Sequence, residues 1–507
     1  MPAVALSKRG ILEGIVLQLE DVLYGVQPAW SRSMPHLPDQ WQSLVLGNVV
    51  TDSREVGPGE LFLALSGERT DGHNYLVDVM KRGARGALVT RAAVEARSEH
   101  LRTSERPWVV VDPASGATLT EAPPDACLFI AVDDPLMAIQ RLAVYHRRKF
   151  TPTVVGITGS VGKTSTKEVT AAVLARQFRT LKSQRSFNSE ATLPTTLLQL
   201  TADHEVAVLE MGMWAPGEIR FLAELARPHV GIVTNVGPSH LERLGSIEAI
   251  AHAKAELPEA LPADGWCLLN IDDPRVATMA GRTAARVFRF GFDPEADLRA
   301  TQVESFGLAG LGFVATTASD AVQIRLPLLG KHNVYTALAA ISTGLVLGME
   351  WPAIIAGLQA SGSQSRVSII KTRHEVTLID DAYNAAPAST CAALALLAEA
   401  PGRRIAVLGD MLELGSVEQA SHHEVGRQAA EIVTTLVAVG PRAHWYAEGA
   451  RDAGMATNQI HCCATNAEAV ALLTASLHAG DYVLIKGSRG MEMEQIVAAL
   501  QRHLEEE

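Results

Sequence analysis

Thr153-Val-Val-Gly-Ile-Thr-Gly-Ser-Val-Gly-Lys-Thr-Ser165 is the stretch that decides the fold. Its apolar, β-branched first half predicts a buried strand over 153–158, and its glycines predict a tight turn into a helix over 164–178. Small residues let backbone N–H groups close around phosphate oxygens, and a helix N-terminus adds partial positive charge. Lys163 can neutralise phosphate charge, and the Thr164 hydroxyl can ligate Mg²⁺. The stretch therefore predicts a loop that binds ATP with Mg²⁺.

The loop departs from the strict P-loop spacing, which would place a glycine where the chain has Ile157. The first loop glycine is Gly159 instead. A glycine-rich turn with an incidental lysine is the alternative, but strand, glycines, lysine and helix in this order favour a phosphate loop. The residues predicted to contact the nucleotide here are Gly159, Ser160, Val161, Gly162, Lys163, Thr164 and Ser165.

On both sides of the loop, apolar β-branched runs alternate with helical segments. Such runs lie at 205–211, 229–236 and 266–271, and more follow between 376 and 488. This alternation is typical of a parallel sheet covered by helices on both faces. The predicted fold class is therefore α/β, with a central phosphate-loop domain and a later Rossmann-like domain.

The length predicts the number of domains. A chain of 507 residues provides about three domains of roughly 150 residues each. Residues 1–133 mix short apolar runs with Gly and Pro, which predicts a small α/β domain. Residues 134–363 are the predicted central domain, entered through a helix over 135–150, and residues 364–507 are the predicted Rossmann-like domain.

Composition excludes several classes of protein. The net charge of −12 argues against a general nucleic-acid binder, which normally presents a basic surface. The five cysteines are scattered without a C-x-x-C pair, so we expect neither a disulfide framework nor a zinc site. There is no signal-peptide core and no apolar run approaching the ~20 residues of a membrane span. We therefore expect a cytoplasmic protein, and a monomer.

The loop form T-G-S-x-G-K-T-S resembles that of the Mur ligases and folylpolyglutamate synthetases. Thr51–Arg54, Gly59–Leu65 and Gly67–His73 are similar to the UDP-sugar-binding domain of the two late-acting Mur ligases. Further stretches follow in the family's order in the centre of the chain. They are Val208–Gly212, Pro216–Ile219, Thr234–Glu242 and Ala253–Glu256. The resemblance to the Mur ligases therefore spans nearly the whole chain.

The last third of the chain distinguishes members of that family. Asp380–Pro387, Val407–Gly415 and Lys486–Met491 resemble the member that adds D-alanyl-D-alanine. The members that add diaminopimelate or lysine would instead show D-Y-A-H-x-P, D-N-P-R and G-K-G-H-E motifs, which do not occur. Departures from the family pattern are Asn188–Pro194, where N-N-x-x-G-x-P is common, and Thr336, where a second Asn is frequent. These two departures concern the contacts expected with the acceptor substrate and with the adenine of ATP, and leave the reaction class unchanged.

The resemblance implies an ATP-dependent ligase that joins D-alanyl-D-alanine to UDP-N-acetylmuramoyl-tripeptide during peptidoglycan synthesis. A substrate carboxylate would attack the γ-phosphate of ATP to give an acyl phosphate, and the dipeptide amine would then displace phosphate. Because anions must approach one another in the first step, Mg²⁺ and cationic groups are needed. Whether residue three of the acceptor is lysine or diaminopimelate stays open.

The resemblance implies three metal ligands besides Thr164, namely Glu210, His240 and Lys254. It also implies that Lys163, His240 and Lys254 are catalytic residues. Glu210 ends a predicted buried strand, at the sheet edge where ligands bind in α/β folds, and the resemblance makes it a Mg²⁺ ligand. His240 matches a ligand of a second Mg²⁺, although a lone histidine is more often structural. Lys254 matches a lysine that is carbamylated in several Mur ligases and thereby offers oxygen to the metal; otherwise it would be a solvated surface lysine.

The remaining predicted contacts lie outside the loop. The resemblance implies nucleotide contacts for Asn333, Arg366, Asp381 and Asn384. Asn333 has an alternative role as a helix N-cap, and Arg366 has one in an interdomain salt bridge. The implied substrate residues are Ser53, Arg54, Tyr383, Lys486, Ser488 and Arg489, of which the first two would hold the uridine diphosphate and the last three the dipeptide carboxylate.

Two alternatives stay open from the sequence. The first is another ligase of the superfamily, which adds lysine or diaminopimelate or acts on folate. The second is a P-loop binding protein that no longer ligates. The residues that argue against it are the intact Lys163, Thr164, Glu210, His240 and Lys254. The pair His422 and His423 is predicted to be a solvated helix start.

Overall fold

The computed structural model describes residues 17–27, 37–67, 70–113, 119, 122–361 and 367–506. Within these residues the chain forms two compact units. The first comprises the described residues within 1–154, 181–209 and 221–227, and the second comprises those within 155–180, 210–220 and 228–507. The domain boundaries expected from the sequence stay predictions.

The N-terminal part of the first unit contains a five-stranded parallel sheet with the order β3-β4-β5-β7-β6, and a separate antiparallel pair, β1-β2. Its core includes the buried side chains of Phe62, Val79 and Phe129. The elements are β1 (Leu17–Gln18), α1 (Leu19–Gly25), α2 (Asp39–Gln42), β2 (Val45–Leu46), β3 (Val49–Val50), β4 (Leu61–Leu63), α3 (Leu76–Lys81), β5 (Gly86–Thr90), α4 (Arg91–Ala96), α5 (Ser98–Leu101), β6 (Trp108–Val111), β7 (Cys127–Val132) and α6 (Pro135–Arg147).

The middle of the chain builds a nine-stranded sheet with the order β16-β15-β14-β13-β12-β11-β8-β10-β9. Its elements are β8 (Thr153–Thr158), α7 (Lys163–Leu174), β9 (Thr180–Lys182), α8 (Leu193–Leu197), β10 (Val206–Glu210), α9 (Glu218–Ala226), β11 (Val230–Val233), α10 (Leu241–Leu244), α11 (Ile247–Glu259), β12 (Trp266–Asn270), α12 (Pro274–Ala277), β13 (Arg286–Gly291), β14 (Leu298–Ser305), β15 (Leu311–Thr316), β16 (Ala321–Leu326), α13 (Asn333–Val346) and α14 (Trp351–Ala360).

The predicted parallel sheet is confirmed for the strands next to the phosphate loop. Strands β8 and β11 are parallel neighbours, and their last residues, Thr158 and Val233, are paired in register. The residues that follow both strands therefore emerge at the same sheet edge, where ligands bind in α/β folds. The sequence did not predict β14, β15 and β16, which add an antiparallel extension to the sheet.

The last part of the chain forms a six-stranded sheet with the order β17-β18-β22-β19-β20-β21. Strand β17 is antiparallel to β18, and the other pairs are parallel. The elements are β17 (Ser368–Lys371), β18 (Thr377–Asp381), α15 (Pro387–Ala398), β19 (Arg404–Gly409), α16 (Glu418–Ile432), β20 (Thr435–Val439), α17 (Ala443–Asp452), β21 (Ile460–Cys463), α18 (Asn466–Thr474), β22 (Tyr482–Lys486) and α19 (Glu494–Glu506).

Two apolar cores lie on this sheet, as predicted for a Rossmann-like domain. Helices α15, α16 and α17 contribute to one core and α18 and α19 to the other. The prediction for His422 is wrong: the side chain is buried in α16, where it accepts a hydrogen bond from Met411 N at 3.0 Å. Its Nδ1 lies 2.7 Å from the carbonyl oxygen of Glu418. Both ring nitrogens are thus paired inside the fold, so solvent is not needed to satisfy them.

Two further observations concern the environment of the chain. No helix in the described ranges is long and apolar enough to cross a membrane. All five cysteines are free.

Candidate active site

The loop between β8 and α7 has the backbone shape that its glycines predict. Gly159 has φ +148° and Gly162 has φ +86°, conformations that residues with a Cβ atom rarely adopt. A Cβ on Gly159 would also lie 1.8 Å from Thr234 Oγ1, so a neighbouring side chain occupies that space. Lys163 and Thr164 then begin α7. Any other residue at position 159 is therefore excluded twice, by conformation and by contact.

Residues that follow β11 hold this loop in place. The Thr234 hydroxyl donates to the carbonyl of Val161 at 2.8 Å, and the Asn235 side chain donates to the same oxygen at 2.9 Å. The amide of Val161 donates back to Asn235 Oδ1 at 2.9 Å, and Ser160 exchanges hydrogen bonds with the backbone of Gly237. No role was predicted from the sequence for Thr234, Asn235 or Gly237. The available signal was their position directly after a predicted buried strand, because ligands bind at strand ends in α/β folds.

Lys163 lies over its own loop. Its ammonium donates to the carbonyl oxygens of Gly159 at 2.7 Å and Ser160 at 3.3 Å. The side chain thus keeps a positive charge beside the backbone that is predicted to surround phosphates, and an incoming phosphate would meet this charge directly.

Thr164 and Glu210 meet at the same edge. Glu210 is the last residue of β10, is 1% exposed, and its Oε2 accepts a hydrogen bond of 2.8 Å from Thr164 Oγ1. A hydroxyl and a carboxylate side by side suit Mg²⁺, a hard cation that prefers oxygen and takes its other ligands from water and phosphate. Among the described residues no cluster of three or more His, Cys, Asp or Glu side chains is arranged to hold a metal. A cation held by the oxygens of Thr164 and Glu210 would take its other ligands from water and a bound nucleotide.

Lys254 is inside the protein and is not a surface residue. It lies in α11 and is 2% exposed, which excludes the solvated surface lysine. Burial, and to a lesser extent the nearby charge of Lys163, hold the pKa of its amine well below the usual value. The structure therefore brings a second lysine close to the phosphate loop, in a setting that favours the neutral amine.

His240 contacts a residue from the last third of the chain. It has φ +61°, and its Nδ1 lies 2.7 Å from Oε2 of Glu413, which itself has φ +65°. The His240 hydrogen bond holds the pKa of the Glu413 carboxyl below its usual range. The exposed ring of Trp214 lies 5.9 Å from the His240 ring. Glu413 lies in the stretch Val407–Gly415, which was recognised by its resemblance to the family, but no role for its side chain was predicted from the sequence.

Asn333 occupies a different position from the N-cap considered as an alternative. It is the first residue of α13, and His332 precedes it as the N-cap. The Asn333 side chain donates to the carbonyl of Leu329 at 2.8 Å and accepts from Thr336 Oγ1 at 3.1 Å. These bonds explain how Thr336 fits where the family often has asparagine. Arg366 lies outside the described residues.

The residues predicted to follow β18 and β22 meet at one edge of the six-stranded sheet. Lys486 Nζ donates to Asp381 Oδ2 at 2.5 Å and to the carbonyl of Asn384 at 2.9 Å. Lys486 and Ser488 are buried, and Ser488 Oγ accepts from Leu412 N at 2.8 Å. They are thus engaged inside the fold, as part of the framework of this edge.

Arg489 and Tyr383 are more accessible than Lys486 and Ser488. The Arg489 guanidinium lies 5.7 Å from the centre of the Tyr383 ring and forms an ion pair with Glu494. The Tyr383 side chain is 41% exposed. Of the three residues predicted to receive a dipeptide carboxylate, Arg489 is therefore the one with an exposed cation.

Ser53 and Arg54 line a cavity of about 400 Å³ in the N-terminal part of the first unit. Arg54 is held by both carboxylate oxygens of Asp52, at 2.9 and 2.7 Å. The other lining residues are Tyr75, Asp78, Lys81 and Arg82, which the sequence did not single out. Three of the six lining side chains are cationic, which suits an anionic ligand such as a diphosphate.

Comparisons with known families cover most of the chain. The model described as "Mur ligase family, catalytic domain" matches residues 46–147, "Mur ligase middle domain" matches 157–344, and "Mur ligase, glutamate ligase domain" matches 365–489. These regions contain the cavity beside Ser53, the phosphate loop, and the edge formed by Asp381 and Lys486.

Relatives and solved structures agree with these matches. UDP-N-acetylmuramoyl-tripeptide--D-alanyl-D-alanine ligase from Mycobacterium tuberculosis (strain ATCC 25618 / H37Rv) is 38% identical, with 90% of this chain and 92% of that protein covered. The protein of that name from Escherichia coli (strain K12) is 34% identical, with 92% and 96% covered. A crystal structure of MurF from Acinetobacter baumannii has a TM-score of 0.76 at 29% identity and covers 96% of this chain and 99% of its own. The chain therefore belongs to the Mur ligase family.

Proposed function

We propose that this protein is the ATP-dependent ligase that joins D-alanyl-D-alanine to UDP-N-acetylmuramoyl-tripeptide, a step of peptidoglycan precursor synthesis. The observation that carries the chemistry is the 2.8 Å contact between Thr164 and Glu210 beside the loop of Lys163. The substrates are those named for relatives that are 33–38% identical and cover most of the chain.

The reaction begins with activation of a carboxyl group. The terminal carboxylate of the tripeptide attacks the γ-phosphorus of ATP and forms an O–P bond. The bond between the γ-phosphorus and the bridging oxygen breaks, and ADP leaves with its electron pair. The dipeptide amine then attacks the carbonyl carbon of this acyl phosphate, the C–N bond forms, and inorganic phosphate leaves with the bonding electrons. One proton is released from the amine, so atoms and charge balance.

The loop and Lys163 bind and orient the phosphates. Backbone N–H groups at the start of α7 face the phosphates, and the Lys163 ammonium offsets charge that spreads over the transferring phosphoryl group. Glu210 and Thr164 would hold Mg²⁺, which supplies electrostatic stabilisation of the phosphate oxygens when bound. Holding the reactants in line lowers the entropic part of the barrier.

His240 and Lys254 are proposed as ligands of a second Mg²⁺, with Lys254 carbamylated. A neutral amine attacks CO₂, a C–N bond forms, one proton leaves, and the product is an anionic carbamate whose oxygens suit a hard cation. Burial of Lys254 supports this, because it disfavours the ammonium form that cannot react. Intact-mass analysis in bicarbonate, and rescue of Lys254→Ala by short carboxylic acids, test the modification. An unchanged mass together with no rescue would contradict it.

The reaction is proposed to take place in the cytoplasm. Free thiols at all five cysteines support a reducing compartment, which is where ATP is abundant. The cavity beside Ser53 and Arg54 is proposed to bind the uridine diphosphate of the acceptor, and Arg489 the dipeptide carboxylate.

Phosphate release from purified protein tests the proposal. With ATP, Mg²⁺ and UDP-N-acetylmuramoyl-tripeptide, we expect sustained release only when D-alanyl-D-alanine is present, and a product heavier by the dipeptide residue mass. A preference for lysine with a UDP-muramoyl-dipeptide would contradict the substrate assignment. Release without any dipeptide would contradict the coupling of the two steps.

A further inference from the structure

A contact between His240 and Glu413 joins two loops that are 173 residues apart in the chain. His240 lies before α10, and Glu413 lies between β19 and α16. His240 Nδ1 and Glu413 Oε2 are 2.7 Å apart, a distance typical of a strong, charge-assisted hydrogen bond. The carboxylate therefore fixes the orientation of the imidazole.

The backbone on both sides of the contact is strained. His240 and Glu413 both have positive φ, at +61° and +65°, although neither is glycine. Such conformations cost free energy and persist only where the surroundings enforce them, which is common at functional sites. Both strained residues contribute their side chains to the same hydrogen bond. Two of the seven non-glycine residues with positive φ in the described part of the chain are thus paired with each other.

Neighbouring residues close the two loops on each other. The amide of Glu242 points to the carbonyl oxygen of Glu413 at 3.5 Å. Gly415 has φ +56°, which favours glycine, and a Cβ on it would lie 3.0 Å from Glu242 Cα, so a side chain here would be strained and would press against Glu242. The loop that carries Glu413 is therefore built to approach α10 closely.

We propose that Glu413 is a positioning residue for His240, which it holds as the Nδ1–H tautomer so that Nε2 keeps the lone pair for a metal ligand. In metal sites a carboxylate that accepts the other ring N–H sets the tautomer and orientation of a ligating histidine. This inference rests on the proposed role of His240 in binding the second Mg²⁺. It adds that the ligand becomes competent only when the segment that carries Glu413 is seated beside α10.

Mn²⁺ binding to the full-length protein tests the inference, because Mn²⁺ replaces Mg²⁺ and is observed directly by electron paramagnetic resonance. Titrations with a non-hydrolysable ATP analogue compare wild type with Glu413→Ala, Glu413→Gln and His240→Ala. We expect Glu413→Ala to weaken the second Mn²⁺ site by about 10- to 100-fold, the usual cost of losing such a partner. Glu413→Gln should lose less, because its amide oxygen still accepts the Nδ1–H.

Glu399→Ala is the matched control. The Glu399 carboxylate also links to the central part of the chain, because it accepts a hydrogen bond from the Ser305 hydroxyl, and it does not contact His240. We expect Glu399→Ala to keep both Mn²⁺ sites. Equal losses in Glu399→Ala and Glu413→Ala would overturn the inference, because general loosening would explain both.

Two further results separate this inference from the proposed function. Wild-type Mn²⁺ binding by Glu413→Ala, together with a lost second site in His240→Ala, would overturn the positioning role and leave the metal role of His240 intact. Two intact sites in His240→Ala would overturn both the positioning role and that metal role, while dipeptide-dependent phosphate release still decides the ligase assignment.

Discussion

The carboxylate of Glu210 lies 2.8 Å from the Thr164 hydroxyl, and this pair gives the most direct test of the metal site. Glu210→Gln keeps the shape of the side chain but offers no anionic oxygen, so Mg²⁺ with ATP should bind more weakly. We expect dipeptide-dependent phosphate release to fall by at least about 100-fold, as for other groups that stabilise transition-state charge. The Mg²⁺ concentration at half-maximal rate should rise. Glu224→Gln, on the exposed side of α9, should retain wild-type activity.

The phosphate loop and the strand-end carboxylate could be predicted from the sequence, because both depend only on neighbouring residues in the chain. Gly159, Lys163 and Thr164 are consecutive or nearly so, and Glu210 was placed by its position at a strand end. The role of Glu413 could not be found in this way, because its stretch, Val407–Gly415, was recognised only by resemblance and its partner His240 is 173 residues away. Lys254 was named through the resemblance, but its burial could not be predicted, because helical periodicity alone leaves a lysine on the surface and only the fold buries it.

Helices α16 and α17 cross at two glycines, which makes their packing sensitive to a single methyl group. A Cβ on Gly449 would lie 1.9 Å from the carbonyl oxygen of His423, and a Cβ on Gly426 would lie 2.1 Å from that of Tyr446. Gly449→Ala should therefore destabilise the protein by about 1–3 kcal/mol through overpacking, against the gain of ~1 kcal/mol in helix propensity. Thermal unfolding measures the change. Glu448→Ala, an exposed neighbour in α17, should leave the midpoint unchanged or slightly higher.

The type of most helices and strands could be predicted, but some boundaries and one group of strands could not. The strand over 153–158 is observed as expected, whereas the helix expected over 164–178 ends at Leu174. Its apolar spacing continues to Phe178, where the backbone has already changed to turns. Strands β14 to β16 escaped prediction. In β14 the pairing register shifts between Thr301 and Glu304, and this irregularity breaks the alternation of polar and apolar residues that would indicate a strand.

Acid should destabilise the folded protein in part through His422. Burial holds the pKa of its ring below the usual value, and both nitrogens are bonded in the neutral form. As pH falls through about 6.5, the His422 ring binds a proton in the unfolded chain but stays neutral in the folded state. The free energy of unfolding therefore decreases until the pH reaches the pKa of the folded state. His422→Phe removes this loss, and its melting temperature should depend less on pH between 7.5 and 5.5. The free energy of unfolding should lose up to about 1.4 kcal/mol less per pH unit than in the wild type.

His374 provides the comparison for that measurement. It is exposed in the turn between β17 and β18, so His374→Asn should show the wild-type dependence of melting temperature on pH. A variant at position 422 with the full wild-type slope would mean that other buried histidines, such as His146, account for the acid sensitivity.

The order of strands in the six-stranded sheet has a consequence for synthesis on the ribosome. Strand β22 ends only at Lys486, yet it lies between β18 and β19 and pairs with both. Until β22 has been synthesised, those two strands have no partner between them, and half of the ion pair between Asp381 and Lys486 is missing. Premature termination anywhere before residue 482 would thus leave a gap in the middle of the sheet, exposing strand edges that favour aggregation.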